Sequence, residues 1–135
     1  MGIHELAQRG QQVRVVGQAD GGAQPLKREL DLATECRSAE RIGANMTELP
    51  WIVVPRVHWA HTTARVNVQD FVDGVPGDEL QKLDSEGFDR RLLARRGAQA
   101  VLKMIVQDGL FHADPHPGNV FYLSDNRIAF VDFGM

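Results

Sequence analysis

A chain of 135 residues, 43% apolar and 24% charged, suffices for one domain with its own core, and its composition excludes a disordered or collagen-like protein. Its 15 basic residues are spread among 18 acidic ones for a formal net charge of −3, without a basic stripe, so nucleic acid is not an expected partner. Cys36 is the single cysteine, which rules out an intrachain disulfide, and no Cys/His pattern suggests zinc.

The start, MGIHELAQRGQQ, lacks the apolar centre of a signal peptide, and no stretch approaches the ~20 apolar residues that span a bilayer. The expectation is a cytoplasmic location, with peripheral membrane association left to parts not present in this segment. Residues 1–25 read as a poorly defined N-terminal segment, rich in turn formers, in which Val13, Val15 and Val16 suggest one short strand. From Pro25 the pattern becomes helical. Leu32, Cys36, Ala39, Ile42 and Met46 keep three- and four-residue steps, which predicts a helix over about 26–46, stopped by Pro50.

WIVVPRVHW (51–59) and ARVNVQDFV (64–72) are rich in β-branched and aromatic residues, and the intervening AHTT predicts that they pair as adjacent antiparallel strands. Pro55 puts the first at an edge or a bend. After Asp73 and Gly74 a polar connection is expected, then a helix from about Asp89 to Asp108 with Leu93, Gly97, Ala100 and Met104 on one stripe and Gly109 as its stop. Arg90, Arg91, Arg95 and Arg96 recur at helical spacing beside that stripe and read as its solvated face.

In HADPHPGN (112–119), Pro115 and Pro117 fix their own φ and push Asp114 and His116 toward extended conformations, giving a rigid loop and excluding a helical metal pair. VFYL, SDNR and IAFV then predict a hairpin with a four-residue turn. That register sets Leu123 against Ile128 and, at the open end, Asn119 against Asp132. Directly opposed residues have Cβ atoms about 4.5–5.5 Å apart, close enough for an amide oxygen and a carboxylate to share one Mg²⁺, which takes one or two protein oxygens and completes its shell with water and phosphates.

Asp114 and Asn119 carry the four-residue gap of the kinase catalytic loop, with His112 in the place of its histidine and Ala113 in the place of its arginine, and Asp132, Phe133 and Gly134 form DFG on the far strand. HADPHPGN followed by VDFGM resembles the UbiB/AarF family of atypical kinases, a group linked to ubiquinone biosynthesis and quinone lipid homeostasis. LKRELDLATE is similar to the family's ExD motif at Glu29 and Asp31, followed by the helix glutamate Glu35, and VPRVHWAHTTARVNVQDFVDG resembles the strand pair and hinge between two lobes. The resemblance covers about residues 26–135 and implies an α+β partial protein-kinase-like fold. A helix and two strands come from the small lobe, then a helix, catalytic loop and metal hairpin from the large lobe.

What the resemblance implies is an ATP- and Mg²⁺-binding kinase or ATPase acting on a small, lipid-like or quinone-pathway molecule. Glu35 would pair with a phosphate-binding lysine on a preceding strand, Asn119 and Asp132 would hold the metal, and Asp114 would sit where a catalytic base sits. Glu29 and Asp31 would belong to a lid that restrains protein phosphorylation. Plainer readings stand beside these: Glu29, Asp31 and Glu35 as the acidic start of a helix, His112 as a structural hydrogen-bonding residue, His116 as a substrate contact or a polar loop residue, and Asp70 and Asp73 as ribose contacts or turn caps. The lysine-bearing strand and the family's KxGQ element are absent, and the chain stops one residue after DFG, so truncation at both ends is expected. The rivals are a catalytically inactive remnant serving as an interaction module, and a generic metal hydrolase using Asp114, His116 and Asp132.

Overall fold

A computed structural model of the chain describes residues 12–17, 32–109 and 117–131. The elements are β1 (Val13–Gly17), α1 (Leu32–Asn45), β2 (Ile52–Val53), β3 (Val66–Asp70), β4 (Val75–Pro76), α2 (Leu80–Ser85), α3 (Arg90–Leu102), β5 (Val120–Leu123) and β6 (Arg127–Phe130). They form an α+β arrangement of two sheets, one of β1 and β3, the other in the order β2-β6-β5-β4.

The described part of the first predicted helix, α1, buries Leu32, Cys36, Ala39 and Ile42 on the stripe that its spacing sets out. Its first amide is spent outside the helix: Leu32 N donates to Ala64 O at 2.9 Å, tying the helix start to the approach to β3. Met46, buried in the 3₁₀ turn that follows, extends the same stripe toward the core.

Pro55 divides the first predicted strand. Before it, Ile52 and Val53 run parallel to Ile128 and Ala129 of β6. Beyond it, His58 N donates to Val68 O at 2.8 Å and Asp70 N to Arg56 O at 2.9 Å, an antiparallel approach to β3. The expected pairing of 51–59 with 64–72 therefore holds for its second half alone. A proline has no N–H to give a ladder and bends the chain, so one apolar run serves two sheets.

Asp89 caps α3, its Oδ1 accepting from Leu92 N at 3.1 Å. Leu93, Ala100 and Met104 are buried, and Gly97, on the same stripe, faces Ile128, whose Cδ1 a Cβ there would meet at an ordinary 3.8 Å. The helix stops being regular earlier than expected. From Lys103 to Asp108 it widens into a π-type turn, and Gly109 closes it with φ of 62°. Residues 74–88 are more than a polar connection, since they supply the edge strand β4 and the short helix α2, both too brief for a periodic signal.

The core lies between α1, α3 and the four-stranded sheet, where Ala39, Ile42, Met46, Ile52, Leu93, Ala100, Met104, Ile128 and Phe130 pack together. Gly74 is required by that packing at its rim. A Cβ there would stand 2.6 Å from Leu123 Cδ2 and 2.9 Å from Tyr122 O.

Candidate functional site

The β5–β6 hairpin is present, but its register differs by one residue from the predicted one. Leu123 faces Arg127 and Val120 faces Phe130. The turn closes in three residues because Asp125 and Asn126 both adopt the left-handed region, with φ of 63° and 53°, which these two residue types tolerate better than most. Asn119 O consequently accepts from Val131 N at 3.0 Å, so Asn119 stands beside Val131, the residue before Asp132. The direct opposition of Asn119 and Asp132 does not follow from this register. Asp132 itself, with Asp114, His112, His116, Glu29 and Asp31, lies outside the described residues.

The hairpin turn is held from outside. Arg96 Nη1 donates to Asn126 O at 2.7 Å and to Asp125 O at 3.1 Å, and its guanidinium lies 5.2 Å from the centre of the Trp51 ring. Asn126 Oδ1 in turn accepts from Asp89 N at 2.9 Å. Arg96 is thus a structural brace for the strand that carries Asn119, which corrects its reading as part of a solvated face. Arg90, paired with Asp84 at 3.3 Å in the open, fits that reading.

Glu35 sits half-buried in the first turn of α1, beside Cys36. Burial, together with the charges of Glu35 and Glu40, pushes the Cys36 thiol up to about 11, so it stays protonated and is no nucleophile. Asp70 closes β3, and its carboxylate is taken by His58 Nε2 at 2.7 Å. Asp73 instead lines a cavity of about 380 Å³ with Lys82, Glu86 and Tyr122, whose phenol is pushed up by burial. Among the described residues no group of three or more His, Cys, Asp or Glu side chains is placed to hold a metal ion, and no helix is long and apolar enough to cross a membrane.

One group of residues escaped the sequence reading. Arg14 of β1 stands opposite Gln69 of β3, and Asn67 lies two residues away on the same face. Gln69 is 6% exposed, and Arg14 Nη1, Asn67 Oδ1 and Gln69 Nε2 are shut off from solvent. The available signal was the alternation in VRV and VNVQ, which reads equally as a solvated face. The same strand, VRVVG, carries no lysine.

Residues 3–135 match the ABC1 atypical kinase-like domain. The chain is 36% identical over 118 residues to the chloroplastic Protein ACTIVITY OF BC1 COMPLEX KINASE 8 of Arabidopsis thaliana, covering 86% of this chain and 16% of that protein. It is 34% identical over 140 residues to the protein slr0889 of Synechocystis sp., covering 96% of this chain and 34% of that relative. A solved complex of Rv3197 with erythromycin from Mycobacterium tuberculosis shares the fold with a TM-score of 0.60 and 27% identity, over 80% of this chain and 27% of that one. The chain spans a minor part of the length of these relatives, and it belongs to the ABC1 atypical kinase-like domain family.

Proposed function

We propose that this chain is the ATP- and Mg²⁺-binding segment of an ABC1-type atypical kinase or ATPase. The observation that carries the reading is the position of Asn119: the bond from Val131 N to Asn119 O sets the end of the catalytic-loop sequence beside the strand that leads into DFG. The proposed donors, the Asn119 amide and the Asp132 carboxylate, are hard oxygens and fit Mg²⁺ in kind. When bound, the ion neutralises charge on the nucleotide phosphates. Asn119 would fix the ion's place, Asp114 would receive the acceptor's proton, and Glu35 would orient a cationic phosphate-binding side chain. The acceptor is proposed to be a small, lipid-like or quinone-pathway molecule, met at a membrane surface through parts of the protein not in this segment.

A second reading, a catalytically inactive remnant, is favoured by one observation: β1 pairs with β3 where a phosphate-binding lysine would be expected, and holds none. Calorimetry separates the two. Asp132→Asn removes the carboxylate next to the phosphates and should weaken Mg·ATP binding about tenfold or more. Unchanged affinity in that variant would overturn the metal assignment, and absence of Mg·ATP binding in the unaltered chain would favour the remnant.

A further inference from the structure

The cavity of about 380 Å³ beside the β4–β5 edge is large enough for a ligand of amino-acid size. Strand pairing and a turn build it. Val75 pairs with Tyr122 on one side, and beyond α2 the chain turns back at Gly87, with φ of 79°, so that Phe88 N donates to Leu83 O at 3.1 Å. Asp73, Lys82, Glu86, Phe88, Tyr122 and Ser124 line the space.

Its polar groups are open to a visitor. Among the described residues Asp73, Lys82 and Glu86, all exposed, enter no ion pair, and the hydroxyl of the half-buried Tyr122 enters no hydrogen bond, where a phenol so placed usually finds a partner. Ser124 Oγ accepts from Arg127 Nη2 at 3.2 Å and keeps its own proton to donate. Two carboxylates outnumber one ammonium, which favours a cationic group in the ligand. Lys82 and the two hydroxyls are donors for an anionic oxygen group. The rings of Phe88 and Tyr122 suit a flat apolar body between the two charges.

We infer that this cavity binds a small aromatic zwitterion of the amino-acid type. Asp73 and Glu86 hold its ammonium group, Lys82, Ser124 and the Tyr122 hydroxyl hold its acid group, and Phe88 covers its ring. The site stands apart from the nucleotide reading, because none of these residues belongs to the proposed metal or catalytic set.

The test is an NMR titration of the chain with three probes that share one body: L-phenylalanine, phenethylamine, which lacks the acid group, and 3-phenylpropanoate, which lacks the ammonium group. L-Phenylalanine should bind about threefold or more tighter than either, the modest gain expected of each solvent-exposed ion pair. Lys82→Gln should bring its affinity down to that of phenethylamine. Glu86→Gln combined with Asp73→Asn should weaken it about threefold or more and leave 3-phenylpropanoate no weaker. Tyr122→Phe should cost about twofold, a neutral hydrogen bond, and Asp78→Asn, exposed just before α2, should change nothing. Circular dichroism checks each fold, and if Tyr122→Phe does not fold, the exposed charge variants decide the matter. No binding of L-phenylalanine, equal binding of all three probes, or binding unmoved by the charge variants overturns the inference. Displacement of L-phenylalanine by Mg·ATP also overturns it, since the two then share one site, and leaves the nucleotide reading standing. Charge-dependent binding of L-phenylalanine to a chain that does not bind Mg·ATP supports the inference and removes that reading.

Discussion

The two sheets differ in chemistry, and the longer strands, of five residues each, belong to the smaller one. The four-stranded sheet buries Ile52, Leu123, Ile128, Ala129 and Phe130, whereas the two-stranded sheet buries a glutamine next to Val68. Burial of an aliphatic side chain contributes roughly 1.5–3 kcal/mol, while a buried amide without a partner costs about 1–3 kcal/mol. One sheet therefore holds most of the buried apolar surface, and the other buries a polar Gln69 whose Nε2 has no hydrogen-bond partner.

The strongest way to break that contrast is Ile128→Ala, at a site 1% exposed in the centre of the core. Loss of about 2–5 kcal/mol is expected, read as a lower denaturant midpoint, and a loss under about 1 kcal/mol would mean that the four-stranded sheet is not the scaffold. A smaller effect is expected from Arg96→Ala, which frees the carbonyls of Asp125 and Asn126 and uncovers Trp51. It should lower stability by about 1–2 kcal/mol and speed amide exchange in the hairpin turn, with exchange elsewhere following global stability.

The sharpest test has the smallest effect and the opposite sign. Gln69→Leu replaces a buried side chain whose Nε2 has no hydrogen-bond partner with an apolar one of similar size, so the fold should gain up to about 1 kcal/mol in thermal melts. A loss of stability would show that the amide is satisfied in solution, and the contrast between the sheets would fade.

The helices and the existence of the hairpin were legible because each rests on local pattern: Leu32, Cys36, Ala39 and Ile42 on α1, Leu93, Ala100 and Met104 on α3, VFYL and IAFV on either side of SDNR. The register was not, because SDNR permits a turn of three or four residues and the choice depends on the left-handed φ of Asp125 and Asn126. The partner of β2 was hidden because parallel pairing with β6 is made by residues far apart in the chain. The buried polar face was hidden for a different reason. Alternation in VNVQ states that residues 67 and 69 share a side, but not whether that side meets water. Of the candidate site, the motif residues Asp114 and Asp132 rest on sequence, and Asn119 and Glu35 have a described place.

The bend at Pro55 also bears on the order in which the chain acquires structure. The half beyond the proline finds its antiparallel partner as soon as residue 70 has been made, but Ile52 and Val53 pair with Ile128 and Ala129. At about 5–20 residues per second, the short apolar strand before the bend waits roughly 4–15 s on the ribosome for its neighbour. Through that interval it is an unpaired edge, open to other nascent chains or to a chaperone, while the small sheet beside it can already be closed.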